Sequence, residues 1–115
     1  MLFNRAHTPA SVCSPTRYGF LIGRYPWRSA LKSGVVDPDG ALLPDPERIT
    51  IADMLKDQGY NTAAIGKWHL GYGNKQPCNF TGKLTPGPLD LGFDYHFAVP
   101  QNHGDYWGVY VENDR

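Results

Sequence analysis

A thiol, a proline and an arginine fall within one stretch of five residues, Cys-Ser-Pro-Thr-Arg, which begins at Cys13. Proline favours the first turn of a helix, so we expect a helix with Ser14 as its N-cap, Pro15 as its first residue and Gly23 as its stop. The cysteine then lies at the positive end of the helix dipole, where a developing negative charge is favoured. Because Arg17 lies one turn further on, the pattern indicates chemistry on an oxyanion such as sulfate or phosphate.

A second stretch with reactive side chains is Gly-Lys-Trp-His, which begins at Gly66. It follows the apolar residues 61–65, which predict a buried parallel strand, and ligands of open α/β sheets bind at the carboxyl ends of such strands. If the chain stays extended, Lys67 and His69 point to the same side. The lysine then holds an anionic oxygen, and the histidine, whose ordinary pKa is about 6.5, moves protons near neutrality. Taken alone, the tetrapeptide favours a simpler interpretation, a solvated lysine and a histidine packed on Trp68.

The two stretches together resemble a known family. Cys-Ser-Pro-Thr-Arg, followed by Leu-Ile-Gly-Arg at 21–24, resembles the first signature of the type I sulfatases, in which the cysteine of Cys-Xaa-Pro-Xaa-Arg is oxidised to formylglycine. Residues 59–71, Gly-Tyr-Asn-Thr-Ala-Ala-Ile-Gly-Lys-Trp-His-Leu-Gly, resemble the second signature. The one small departure is Ile22, where the family usually has threonine. The resemblance covers about 3–105 and implies the α/β fold of the alkaline phosphatase superfamily, a mixed sheet flanked by helices that is incomplete in this chain.

The resemblance also implies an activity, the hydrolysis of sulfate esters. In the family the hydrated aldehyde made from Cys13 supplies the nucleophilic hydroxyl and ligates a divalent cation, usually calcium. Arg17 and Lys67 would orient and stabilise the formylglycine and sulfate oxygens, and His69 would assist the proton removal that releases sulfate. Lys67 and Asn102 are expected to contact the substrate, the latter because it lies where sulfatases place a polar loop. The implied partners are a sulfated small molecule or glycan and a formylglycine-generating or anaerobic sulfatase-maturating enzyme.

The expected metal shell is only partly present in the chain. The paired aspartates that the family places before the cysteine, its later Asp-Asn ligands and its further His and Lys contacts are absent from these 115 residues, so only the side chain of residue 13 remains. We therefore expect the whole chain, 1–115, to be part of a single sulfatase catalytic domain that continues beyond both ends. We expect the activity to belong to the full-length protein and this segment alone to be inactive.

Composition narrows the class of protein further. Ten prolines and thirteen glycines leave few long periodic segments from which to build a core. The formal net charge is zero, so nothing indicates nucleic acid or an anionic membrane as a partner. The sequence has no apolar run of roughly 20 residues and no signal-peptide pattern at its start. The family resemblance nevertheless implies a parent protein that is periplasmic, secreted or lysosomal.

Other elements are predicted from local signals. Thr50 and Asp53 form a capping-box pattern for a second helix that stops at Gly59. Alternating apolar and polar residues predict short strands. These are residues 2–6, about 92–100 and about 106–111.

Several alternatives remain open at this point. Cys13 and Cys78 allow one disulfide, which the Cys-Xaa-Pro-Xaa-Arg pattern around Cys13 disfavours; the alternatives for Cys78 are a free thiol or a partner outside these 115 residues. Asp37, Asp39, Asp45 and Glu47 lack the spacing of a calcium loop, which favours a solvated loop. The Asn-Phe-Thr at Asn79 is a glycosylation acceptor only in a host with that machinery. A phosphonate or phosphate monoester hydrolase of the same superfamily would use a similar constellation, and a non-catalytic glycan-binding or structural segment would use the seven tyrosines and three tryptophans as stacking surfaces.

Overall fold

The computed structural model describes residues 2–104 and 108–115. The elements within these ranges are α1 (Cys13–Ile22), α2 (Ile51–Asp57), β1 (Ala63–Lys67), β2 (Tyr95–Val99) and β3 (Val111–Glu112), with short 3-10 helices at Pro26–Arg28 and Pro88–Leu91. The strands form one sheet in the order β1-β2-β3, in which β1 is parallel and β3 antiparallel to β2. The expected α/β fold with a mixed sheet is therefore confirmed. None of the helices described is long and apolar enough to cross a bilayer.

Helix α1 begins two residues earlier than the sequence predicts. Its N-cap is Val12, whose carbonyl oxygen accepts the first helical hydrogen bond, and Cys13 is its first residue. Ser14 does not cap the helix, because its hydroxyl is engaged by a distant backbone group. The stop is as predicted: Gly23 adopts φ +66° and donates its N–H to Gly19.

Helix α2 carries the predicted capping box. The Thr50 hydroxyl accepts the N–H of Asp53, and the Asp53 carboxylate accepts the N–H of Thr50. Gly59 follows in the left-handed conformation at φ +83°. Met54 and Leu55 are exposed, whereas the buried residue of this helix is Ala52. A side-chain capping box thus sets the start of α2 and a left-handed glycine follows its end, while its apolar face stays open among the residues described.

The strands predicted at 61–65 and 92–100 form with different bounds, and the strand predicted at 2–6 does not form. β1 occupies Ala63–Lys67 rather than 61–65, because the backbone N–H and hydroxyl of Thr62 are held by the Asp94 carboxylate before the ladder starts. Ile65 is 72% exposed, so the strand is not buried as predicted: β1 pairs only with β2 in the part of the chain described. Residues 2–6 form no strand, since no described segment pairs with them. Of the strand predicted at 106–111, residues 106 and 107 lie outside the described residues.

The core gathers under the loop that follows β1. Trp68, Leu70 and Tyr72 are buried there against Tyr18 and Leu21 of α1. The remaining buried members of the cluster are Leu84, Leu91, Ala98 and Val111. Apolar residues therefore anchor both stretches that carry the reactive side chains, which fixes α1 relative to the end of β1.

Candidate active site

Cys13 lies at the N-terminal end of α1, as the motif predicts. It is the first helical residue, it is half-buried, and its thiol is free. Cys78 is also a free thiol, so the two cysteines form no disulfide with each other. Burial, reinforced by the nearby Asp39 carboxylate, raises the pKa of the Cys78 thiol. The half-buried thiol at the positive end of α1 is thus accessible to chemistry that a disulfide would prevent.

Arg17 connects α1 to the end of β1. Its guanidinium donates a hydrogen bond of 2.5 Å to the carbonyl oxygen of Lys67. A guanidinium carries five N–H donors, so this bond fixes the group and leaves further donors for an oxyanion. The side chain is only partly buried, which is consistent with such a second partner.

Lys67 and Asn102 are in direct contact. The Lys67 ammonium donates a hydrogen bond of 2.5 Å to the Asn102 side-chain oxygen. Pairing between the two chain segments continues beyond the strands, because Trp68 and His69 donate backbone N–H groups to Val99 and Pro100 at 3.0 Å each. The parallel arrangement of β1 and β2 therefore brings Asn102 and the polar loop after β2 alongside the lysine, and the substrate contact expected of Asn102 stays a prediction.

His69 occupies a different position from the one the sequence indicates. It is only 1% exposed, and its backbone adopts φ +55°. The chain leaves the extended conformation here, so the condition under which Lys67 and His69 would share a side is not met. The ring lies below the surface, with Nε2 3.0 Å from the Val36 carbonyl oxygen.

Val36 is a site neighbour that sequence reasoning missed. Its N–H donates to the Ser14 hydroxyl at 3.1 Å, and its carbonyl oxygen contacts the His69 ring. The residue thus bridges the cysteine helix and the histidine. An apolar side chain in a loop rich in glycine, proline and aspartate carries no sequence signal for a role played by its backbone.

His96 and Tyr72 form a buried, hydrogen-bonded pair that neither motif predicts. His96 Nε2 lies 2.9 Å from the Tyr72 hydroxyl, and His96 Nδ1 lies 3.1 Å from the carbonyl oxygen of Ala64. Because a carbonyl only accepts, Nδ1 carries the hydrogen and Nε2 accepts from the tyrosine. Burial lowers the pKa of His96 to about 4 and raises the pKa of Tyr72 well above its usual range. The pair is therefore neutral. It packs against Trp68, and the centroids of the His96 and Trp68 rings are 5.6 Å apart.

A complete calcium shell is not formed by the described residues. Nowhere in the ranges 2–104 and 108–115 do three or more His, Cys, Asp or Glu side chains come together as a metal site. The carboxylate of Asp37 instead accepts a hydrogen bond from Gln76 at 2.8 Å. Calcium takes six to eight oxygen ligands, so these residues do not by themselves fit the ion that the family resemblance implies.

The geometry therefore joins the two signature stretches around one end of α1. Comparison with known proteins defines the class: the chain belongs to the sulfatase family, because the profile described as Sulfatase matches residues 1–114. Among characterised relatives, the chain is 40% identical over 111 residues to an N-acetylgalactosamine-6-O-sulfatase of Bacteroides thetaiotaomicron, covering 96% of this chain and 22% of the relative. It is 43% identical over 100 residues to human steryl-sulfatase, covering 81% of this chain and 16% of that enzyme.

Solved structures agree with the sequence relatives. A structure from a study of glycosaminoglycan metabolism by Bacteroides thetaiotaomicron superposes with a TM-score of 0.87 at 40% identity, over 93% of this chain and 22% of that one. The structure named Ps i-CgsB superposes with a TM-score of 0.58 at 26% identity, over 79% of this chain and 18% of that one. The chain thus spans about a fifth of the length of the proteins it matches.

Proposed function

We propose that the full-length protein carrying this segment is a sulfuric ester hydrolase, and that residues 1–115 are part of its single catalytic domain. Besides the family membership, the exposed apolar surface supports this. Phe20 and Ile65 are 73% and 72% exposed along a groove of about 510 Å³ between α1, α2 and β1. Exposed apolar surface of this kind is typical of a face that further protein covers.

The observation that carries the proposal is the hydrogen bond from Arg17 to the Lys67 carbonyl oxygen. It joins the cysteine signature to the lysine-histidine signature, although the two lie fifty residues apart. Sulfate ester hydrolysis requires a nucleophile at sulfur, cations around the sulfate oxygens and a proton for the departing alcohol. Residues 13, 17 and 67 supply the nucleophile and the cations from two chain segments that the bond holds together, and the proton for the departing alcohol is proposed to come from a group elsewhere in the full-length protein.

The nucleophile is assigned to residue 13. After oxidation to formylglycine and hydration, this side chain supplies one hydroxyl that attacks sulfur and a second through which sulfate is released. The free thiol of Cys13, half-buried at the start of α1, is consistent with that modification. Arg17 binds and orients the oxygens around residue 13 through the donors not used by the Lys67 carbonyl.

Lys67 and Asn102 are assigned to substrate binding. The Lys67 ammonium neutralises a sulfate oxygen as a point charge, and Asn102 holds that ammonium in place and contacts the substrate. His69 takes the proton from residue 13 during sulfate release. The contact of its Nε2 with the Val36 carbonyl oxygen fixes the ring of this buried histidine.

A divalent cation, calcium in the family, is assigned to the same site in the full-length protein. Residue 13 is the one ligand proposed from this segment, and the other carboxylate and amide ligands are proposed to come from further along the full chain. The ion polarises the sulfate when it is bound. The roles given above to Arg17, Lys67 and His69 do not depend on its position.

The substrate is proposed to be a sulfated glycan or small molecule. One relative is named for N-acetylgalactosamine 6-O-sulfate, and the Ps i-CgsB structure was also determined with a neocarrahexaose. The partner needed for activity is a formylglycine-generating or anaerobic sulfatase-maturating enzyme. The compartment is proposed to be an exported one, periplasmic, secreted or lysosomal, as is general for the family.

The test is a matched pair of substrates. The full-length protein, co-expressed with a formylglycine-generating enzyme, is assayed on 4-nitrophenyl sulfate and 4-nitrophenyl phosphate, and on a sulfated oligosaccharide and its desulfated form. We expect sulfate release to dominate and to require co-expression. Faster phosphate release would assign the protein to phosphate ester hydrolysis instead. Binding of the oligosaccharide without release of sulfate would assign it to glycan binding.

A further inference from the structure

We infer that Ser14 is a positioning residue for His69, acting through the backbone of Val36. The Ser14 hydroxyl fixes the Val36 peptide, and the Val36 carbonyl fixes the ring orientation and tautomer of the histidine. This inference rests on the proposed function only for the role of His69. The contacts themselves are properties of the fold.

The first link is the bond between Ser14 and Val36. Ser14 is fully buried, and its hydroxyl oxygen accepts the Val36 N–H at 3.1 Å. The sequence suggests this serine as the N-cap of α1, but Val12 caps the helix and the Ser14 hydroxyl instead bonds a residue 22 positions away. The tertiary bond therefore replaces a local one, and it satisfies a buried N–H that would otherwise be costly.

The segment that carries Val36 is itself held rigidly. Gly40 donates its N–H to Asp37 in a turn, and a Cβ at Gly40 would lie 2.7 Å from Val36 Cγ1, so the valine is tightly enclosed. Tyr72, three residues after His69, donates its N–H to the Gly40 carbonyl at 3.0 Å. These two hydrogen bonds hold the turn at 37–40, which directly follows Val36, and so they restrict the position of the Val36 carbonyl that contacts His69.

The second link is the contact between Val36 and His69. A carbonyl oxygen only accepts hydrogen bonds, so His69 Nε2, 3.0 Å away, carries the ring hydrogen in the neutral form. Which nitrogen is protonated is set by the partner of the other one. The Val36 carbonyl therefore favours the Nε2–H tautomer of His69.

The two links couple the histidine to the helix that presents residue 13. Ser14 is the next residue after Cys13, so one turn of α1 places the nucleophile and, through Val36, orients the base. Reacting groups must be aligned closely for efficient transfer. Removing the Ser14 hydroxyl should therefore loosen His69 without changing any group that touches the substrate.

A simpler interpretation is that Ser14 only satisfies the Val36 N–H and contributes to stability. The two interpretations differ in what Ser14→Ala changes. A stability role lowers the melting temperature alone, whereas a positioning role lowers kcat and alters the tautomer of His69. Thr62→Val is a matched control, because Thr62 is also a buried hydroxyl and its hydrogen-bond partners are the Gly92 carbonyl at 2.7 Å and the Asp94 carboxylate rather than Val36.

The first measurement is the nitrogen NMR spectrum of the full-length protein labelled with ¹⁵N-histidine, with His69 assigned by its loss in His69→Gln. We expect a neutral Nε2–H tautomer in the wild type and a mixture of tautomers in Ser14→Ala. A neutral Nδ1–H tautomer in the wild type would overturn the inference, whether or not the protein hydrolyses sulfate esters and whether or not the variant folds.

The second measurement is steady-state kinetics on a sulfate ester, normalised to the fraction of residue 13 that intact mass shows as aldehyde. We expect Ser14→Ala to lower kcat by about tenfold to a hundredfold with KM changed by less than about twofold. Thr62→Val should keep the wild-type kcat. If kcat falls no further in Ser14→Ala than in Thr62→Val, Ser14 does not position the base. Activity of the wild type itself tests the proposed function separately.

Discussion

The Arg17 guanidinium donates a hydrogen bond to the carbonyl oxygen of Lys67 across fifty residues of sequence. Both side chains belong to motifs of the sulfatase family, and the bond gives the two motifs a fixed relative position. Arg17 thus has a structural and a proposed chemical task at once, because one donor binds the backbone and its other donors are proposed to bind an oxyanion. Variants of this residue are therefore informative only when stability and turnover are measured together.

Replacing Arg17 with lysine is expected to lower turnover strongly. Lysine keeps the charge but loses the planar fork that serves the Lys67 carbonyl and an oxyanion together. We expect kcat of the full-length protein to fall by about a hundredfold or more, as for loss of a donor to transition-state charge. The measurement is kcat on a sulfate ester alongside the melting temperature.

Arg28→Lys is the control for this variant. Arg28 is an exposed arginine on the 3-10 helix Pro26–Arg28 and belongs to neither motif. We expect its kcat and melting temperature to match those of the wild type. If Arg17→Lys behaves like Arg28→Lys, the proposed contact of Arg17 with the reacting oxygens is wrong.

Lys67 and Asn102 are expected to act as a coupled pair. Lys67→Met removes the ammonium and should lower kcat by about a hundredfold. Asn102→Ala should have a smaller effect, felt mainly in KM, because the lysine remains. Since the two side chains are in contact, the double variant should lose less than the sum of the single losses. Asn61→Ala, at an exposed asparagine before β1, is the control. If the free-energy losses of the two single variants add up to that of the double variant, Asn102 acts independently of Lys67 and the predicted coupling is wrong.

Local signals in the sequence predicted the end of α1 and the start of α2, but they did not predict the tertiary contacts of these helices. Gly23 stops α1 and the box of Thr50 and Asp53 starts α2, because both signals act within four residues. The prediction that Ser14 caps α1 was wrong for the opposite reason. Its hydroxyl bonds Val36, and a partner 22 residues away leaves no local signal in the sequence. The Asp94 carboxylate displaced the start of β1 in the same way.

The position of His69 is the feature of the site that the sequence predicted least well. Nothing in the sequence Gly-Lys-Trp-His predicts that the histidine is buried or that its φ is positive. The consequence is practical. His69→Ala leaves a cavity in a buried position and should cost about 1–3 kcal/mol of stability, so a stability loss in that variant does not argue against a catalytic role. A hundredfold loss of turnover that persists at a temperature where the variant is fully folded does argue for it.

The buried pair of His96 and Tyr72 predicts a specific dependence of stability on pH. The folded-state pKa of His96 is about 4, below its ordinary value of 6.5. The unfolded chain therefore binds more protons between these values, and the free energy of unfolding falls as the pH drops from about 6.5 to about 4. Protonation also turns Nε2 into a donor facing the Tyr72 hydroxyl. We expect a loss of up to about 3 kcal/mol from this residue.

The reference for that prediction is the double variant His96→Phe with Tyr72→Phe. It removes both partners of the His96–Tyr72 hydrogen bond and keeps aromatic packing against Trp68, while the Ala64 carbonyl loses its contact with His96 Nδ1 equally at every pH. The melting temperature of wild type and variant is compared across this pH range. The advantage of the wild type should shrink on acidification. A constant difference would show that His96 does not titrate on unfolding.

The last prediction concerns Cys13 and connects the modification to turnover. In the full-length protein expressed with a formylglycine-generating system, we expect intact mass to show the aldehyde at residue 13 and activity to rise in proportion to it. Cys13→Ser should fold, because serine is close in size and the position is the half-buried first residue of α1. Its hydroxyl can attack sulfur, but it has no second hydroxyl through which to release sulfate, so the variant should accumulate as a serine sulfate ester after one turnover. Mass spectrometry detects that ester on the peptide containing residue 13. Full activity in protein whose residue 13 is entirely thiol would contradict the mechanism.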